Sequence, residues 1–138
     1  MGLEVNWLAI GLASLSTLVI GSLWYAPKAF GSTWEELARI DKEHQAKPVV
    51  TILTAFVAGI VTAYVLAHLI YLSHAFFKNS LLQDAISTAF WVWLGLAACR
   101  FITHDSFEGR PRFLTLITIG HELLSLVVMA AIIGSFEP

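Results

Sequence analysis

His121 and Glu122 stand side by side in the run from Phe113 to Phe136, where no other residue carries a formal charge. Nine residues of helix beyond Phe113 place the Glu122 carboxylate about 13 Å from the start of that run. An acidic side chain at the centre of a membrane helix costs about 2.5–3.5 kcal/mol, so such residues face a bundle interior, pair, or take up a proton. His121 points about 100° further around the helix, so the two need not share a partner. Arg100, near the end of the preceding apolar run, has a side chain long enough to reach toward Glu122, and His104 lies one turn beyond Arg100 on the same face.

Three chemistries compete for these residues. The favoured one is an internal polar network of Glu122, His121, Arg100 and His104 that fixes the helices, because polar side chains serve as glue between membrane helices. The second makes Glu122 a titrating carboxylate in a proton-linked path, helped by His68 at the far face. In the third, His104, Asp105 and Glu108, with His121 or Glu122, hold a metal for hydrolysis. That H-D-x-x-E run straddles a predicted loop and lacks the H-x-x-x-H spacing that sets two histidines on one helix face. No metal or other cofactor is therefore expected, and the predicted depths of His68 and His121 are too different for one haem. No Gly-rich phosphate loop, C-x-x-C pair or G-x-S-x-G elbow occurs, so no catalytic residue is assigned and enzymatic activity is not expected.

The elements that must position these groups follow from composition. The chain has 138 residues, 57% hydrophobic and 13% charged, with a mean hydropathy of +0.74. Soluble domains run at about 45–50% apolar and about 25% charged. Such a balance indicates a polytopic membrane protein, and it argues against a disordered chain. A single cysteine, Cys99, excludes a disulfide scaffold, and a formal charge of -2 offers no basic face to nucleic acid. Four apolar runs, about 5–27, 48–72, 81–102 and 113–136, are each long enough to cross about 30 Å of hydrocarbon. Pro48 suits a first helical turn. Asp84 and Arg100, near opposite ends of the third run, are expected to snorkel to the interfaces. No basic segment precedes the first run and no small-residue cleavage site ends it, so it is read as a span and not as a signal peptide.

The connector after the first run is too long to be a turn alone. Ser32 and Thr33 precede Glu35 and Glu36 at capping-box spacing, and Trp34, Leu37 and Ala38 recur at helical intervals, which predicts a short amphipathic interfacial helix over about 33–45. Basic residues crowd the first and third connectors (Lys28, Arg39, Lys42, Lys47; Arg110, Arg112), whereas the opposite side has only Lys78. The positive-inside rule then puts both connectors in the cytoplasm and both termini outside. Small residues recur every fourth position in the first run (Ala9, Ala13, Thr17, Gly21) and in the second (Thr51, Ala55, Gly59, Ala63, Ala67). Such stripes permit close helix approach, either within the chain or between copies, and Gly21, Ala55, Gly59 and Ala63 are the expected packing positions.

Two motifs carry a resemblance. Gly21-Ser22-Leu23-Trp24-Tyr25-Ala26-Pro27 with Phe30-Gly31 and Trp34, preceded by Asn6-Trp7-Leu8, and then Phe107-Glu108-Gly109-Arg110-Pro111 with Gly120, Met129 and Gly134, resemble the signature of the domain-of-unknown-function 1761 family of small integral membrane proteins. The resemblance covers nearly the whole chain. It implies a four-span helical protein, mostly bacterial, without an established activity, and makes Trp24, Tyr25, Pro27, Phe30, Gly31, Glu108, Gly109, Arg110 and Pro111 family-motif positions. The family often carries an aromatic residue and then a histidine or another polar residue after the last span's glycine, where this chain has His121-Glu122. Physically, Trp24 and Tyr25 suit an interfacial aromatic belt, Pro27 stops the helix, and the aromatic residues would dock the connector helix on the span's end.

The expectation is thus an all-α, multi-pass protein of the bacterial inner membrane, one domain over residues 1–138, its four transmembrane helices in a compact bundle. It would work as a structural or accessory module whose partners are the lipid bilayer and either further copies of itself or a larger membrane complex, with no nucleic acid. The alternative is a small oligomeric proton-linked transporter or channel with Glu122 as its titrating group.

Overall fold

In the computed structural model, residues 4–41, 43 and 47–136 are described. Among them there are helices and turns and no strand. Asn6 caps the first helix by accepting the Ala9 N–H at 3.1 Å, and α1 runs Trp7–Trp24. A π-helical turn, Pro27–Gly31, kinks at Ala29 (φ -100°, ψ -113°) and leads into α2, Ser32–Ala38. Helix α3, Pro48–Phe77, starts on its proline and stops at Lys78, whose φ of 57° is left-handed. Ser80 caps α4, Leu81–Val92, and a second π-helical turn, Trp93–Ala98, passes without a break into α5, Cys99–Glu108. Gly109, at φ +67°, turns the chain into α6, Arg112–Ile133.

Four helices are long and apolar enough to span a membrane: Trp7–Trp24, Pro48–Phe77, Leu81–Glu108 and Arg112–Ile133. The fold is the expected one, with shifted boundaries. The second and third spans run on to Phe77 and Glu108, and α2 ends well before the expected limit of 33–45. Its closure is local: Arg39 turns left-handed (φ 51°) and the Ile40 N–H reaches back to the Glu35 carbonyl at 3.3 Å, a pairing that ends helices. Residues 42 and 44–46 lie outside the described residues.

The helices form a bundle with two unlike halves. The half nearer the termini is solid: Ile10 and Ala13 of α1, Ala63, Ala67 and Ile70 of α3, Ala85 and Ala89 of α4, and Met129, Ala130 and Ile133 of α6 share one buried core. Alanines dominate because the helices meet at backbone distance, as membrane helices do where small residues line the contact. The half nearer the connectors is looser. There α3 shows Thr51, Ala55 and Ala58 to the outside, and its expected packing stripe is buried only from Gly59 onward. Within one copy Ala55 is therefore exposed, which leaves it, of the two uses expected of the stripe, only contact between copies.

The π-helical turn in the third span changes what that span presents. In an uninterrupted α-helix Arg100, seven residues after the inward-facing Trp93, would share its face. One extra residue in the turn rotates everything beyond it by about 100°. Ala98 and Asp105 turn inward instead, and Arg100 and His104 point out of the bundle.

Candidate functional site

Between α1, α3 and α6 lies a groove of about 630 Å³, open at the surface of the bundle. Thr17, Gly21 and Tyr25 line it from α1 and its cap, Thr51, Ala55, Ala58 and Thr62 from α3, and His121, Glu122, Ser125 and Met129 from α6. Gly59 marks a close approach of α1 and α3 at the groove wall: a Cβ there would stand 2.9 Å from Ser14 Oγ, and Ser14 donates across the helix pair to the Phe56 carbonyl at 3.1 Å. Past that point α1 and α3 touch.

Among the described residues that line the groove, Glu122 is the only formally charged one. Its side chain is 36% exposed, that of His121 18%, and His121 Nδ1 lies 3.7 Å from Glu122 Oε1. The angular offset of neighbouring residues does not keep them apart, because the imidazole swings back along the helix. On its other side His121 Nε2 sits 3.5 Å from Ser125 Oγ, and the ring packs near Tyr25, with centroids 5.1 Å apart. The expected four-residue network is not assembled. Arg100 and His104 lie outside the groove, and among the described residues neither pairs with Glu122. Of the expected packing residues, Gly21 borders the groove, where a Cβ would stand 3.7 Å from His121 Nε2, whereas Gly59 and Ala63 pack.

Two tryptophans hold the stretch of α6 just before His121. Trp24 donates its indole N–H to the Ile117 carbonyl at 3.2 Å, and Trp93, at the start of the π-helical turn, donates to the Ile119 carbonyl at 2.8 Å. Gly120 gives Trp24 room: a Cβ there would meet the indole at 3.2 Å. Phe30 covers the same indole (centroids 4.7 Å), and Trp34 of α2 sets its edge against Tyr25 (5.3 Å). Because Trp24 and Tyr25 contact residues about two turns inside α6, α1 stops short of that helix's connector end. The aromatic motif is therefore a corner packed against α6, and the Trp34–Tyr25 contact is the expected docking of the connector helix on the end of the span.

Chemistry-bearing residues also gather at both ends of the third span, and there the expectations change. Asp84 does not snorkel. It is buried, accepts the Asn79 side-chain amide at 2.9 Å and lies 2.9 Å from His74 Nδ1, so it ties α4 to the end of α3. Asp105 is buried as well and accepts the Thr115 hydroxyl of α6 at 2.7 Å. Glu122 is thus not the carboxylate most withdrawn from the surface. His104, Asp105 and Glu108 do not straddle a loop, since all three are on α5, and their ligand atoms lie within 4.8 Å of one another. The Arg110 guanidinium takes the cation's place: it pairs with Glu108 and lies 3.9 Å from Asp105, while His104 Nδ1 is 3.1 Å from Glu108. The Phe107–Pro111 motif is the corner that folds α5 back on α6.

The model of one family, described as a protein of unknown function (DUF1761), matches residues 8–134. The chain belongs to that family. The match takes in both DUF1761 motif corners and the whole groove. No curated protein and no solved structure gives a significant match to the chain. Sequence reasoning for this DUF1761 member missed Thr51, Ala58 and Thr62 as groove residues. A signal was present, because with Ala55 they repeat at helical spacing while the far face of α3 carries Val49, Leu53, Val57 and Val61. Branched apolar residues face lipid comfortably, so the small and hydroxylated face marks the side that is not meant for it.

Proposed function

We propose that the protein is a non-enzymatic accessory module of the membrane that admits a guest sideways from the bilayer into the groove between α1, α3 and α6. The observation that carries this reading is the one-sidedness of the groove. It opens at the surface of the bundle, which this reading places in lipid, and toward the termini it runs into the packed core of Ile10, Ala13, Ala63, Ala67 and Met129. A transporter with Glu122 as its titrating group needs alternating access from both faces. One copy of this chain offers a pocket with a missing wall. In proteoliposomes under an imposed pH gradient, proton flux is expected to match protein-free vesicles, with or without Glu122→Gln. Protein-dependent flux that vanishes in a folded Glu122→Gln variant would overturn the reading in favour of transport.

The connector side is proposed to face the cytoplasm of a bacterial inner membrane, on the strength of Arg110, Arg112 and the first connector's lysines and arginine against Lys78 alone. A reporter enzyme that works only outside the cytoplasm, fused after Pro138, is expected to be active. Activity of a cytoplasm-only reporter at the same position would reverse the orientation.

A further inference from the structure

We infer that the groove's guest is a single-chain amphiphile with a protonated amine head, held by Glu122. This rests on the binding reading above and adds the chemistry of the ligand. Among the described residues the carboxylate is the groove's one formal charge, and no lysine or arginine pairs with it. Three of the surrounding hydroxyls, those of Thr17, Ser22 and Thr51, have their protons engaged. Thr17 donates to the Ser14 carbonyl at 2.7 Å, Ser22 to Val19 at 2.8 Å and Thr51 to Lys47 at 3.5 Å, while Ser125 Oγ lies 3.5 Å from His121 Nε2. Those three positions therefore present acceptors beside the carboxylate, whose nearest titratable neighbour is the His121 ring at 3.7 Å.

An anionic head would meet like charge there, and an alcohol would leave the carboxylate uncompensated in a medium where charge is costly. An ammonium donates to it directly, and charge-assisted bonds of this kind are about twice as strong as neutral ones. Tyr25, on the same wall, adds an aromatic face of the sort that attracts cations.

Size and depth narrow the class. About 630 Å³ falls within the range of small-molecule sites, about 300–1,000 Å³, and the open side lets an alkyl tail stay in lipid while only the head enters. Glu122 lies about 15 Å along α6 from Arg112, deeper than the head-group layer where a phospholipid keeps its phosphate. A small amine on one chain can partition that far. Leu18, Leu126 and Met129 give its first carbons an apolar wall.

The test uses the purified protein in phosphatidylcholine nanodiscs, with tritiated dodecylamine as the probe and dodecanol and dodecanoate as competitors of equal chain length. Saturable one-to-one binding is expected, with dodecanol at least about tenfold weaker and dodecanoate not competing. Glu122→Gln should weaken dodecylamine binding about tenfold or more, and Ala55→Leu, which narrows the mouth without touching the carboxylate, should weaken all chains alike. If Glu122→Gln binds dodecylamine as the parent does, or if the three chains compete equally, the amine assignment is wrong and the groove stands. If no chain binds saturably, the binding reading itself fails. Disulfide dimers of Ala55→Cys, made in a Cys99→Ser background, that form in native membranes and exclude dodecylamine would assign the groove to a second copy and overturn the proposal.

Discussion

Gly31→Ala is expected to cost the protein about 3 kcal/mol, read as a fall of roughly 10 °C in its thermal midpoint by size-exclusion after heating. Gly31 has an ordinary helical backbone, so its role is spatial. A Cβ there would overlap the Tyr25 carbonyl oxygen and lie 2.8 Å from the Tyr25 carbonyl carbon and 2.9 Å from that of Ala26. All three are backbone atoms, which no rotamer change can move. The π-helical turn would have to open, and its Gly31 N–H to Ala26 carbonyl bond of 3.1 Å would go with it. Phe30 would then leave Trp24 and Trp34 would leave Tyr25, so the loss reaches the indole that braces α6 before His121. Gly120→Ala makes a useful contrast, because its nearest neighbour is the rim of the Trp24 ring at 3.2 Å, a side chain that can yield by a few tenths of an ångström. That variant is expected to lose about 1 kcal/mol. Equal midpoints for Gly31→Ala and the parent protein would mean that the corner is not the rigid joint described.

The four spans were legible because a bilayer imposes one simple demand, about 20 apolar residues per crossing, and each crossing satisfies it in plain view. A helix start was legible where chemistry enforces it, as at Pro48, whereas the third span runs past its expected end at 102 and stops only at Gly109. Rotation about each helix axis was not. Arg100 was aimed at Glu122 on the assumption of an unbroken α-helix, and one additional residue in the turn at Trp93–Ala98 was enough to send it outward. Nothing in Trp-Leu-Gly-Leu-Ala-Ala announces a π-helical turn, and the Trp93 indole at its start is engaged across helices with the Ile119 carbonyl. Depth was misjudged for a related reason. Asp84 and Asp105 fall near the ends of their span, where a carboxylate has water within reach, and yet Asn79 and Thr115 supply hydrogen-bond donors that let both be buried. Glu122, mid-span by counting, escapes full burial only because α3 leans away, and the lean of a helix is not encoded in any local run of residues.

The same lean makes a sharp prediction about two positions four residues apart on one stripe. Gly59→Leu is expected to destabilise the protein by about 3 kcal/mol, and Ala55→Leu by no more than about 0.5 kcal/mol. At Gly59 even the first added carbon meets Ser14 Oγ at 2.9 Å and Thr17 Oγ1 at 3.2 Å. Both hydroxyls are held, the first by the Phe56 carbonyl and the second by the Ser14 carbonyl, so neither can retreat without giving up a bond in a medium with no water to replace it. Three more carbons would force α1 and α3 apart through the core at Ala13 and Ala63. At Ala55 the helices have already separated, and a leucine there enters the groove mouth, where lipid or a guest would otherwise sit. Loss of binding with retention of fold at Ala55, set against loss of fold at Gly59, would locate the point where packing ends and the site begins. Comparable destabilisation at both positions would mean that α1 and α3 stay together along their full length in the membrane, and a closed helix pair leaves no groove for Glu122 to face.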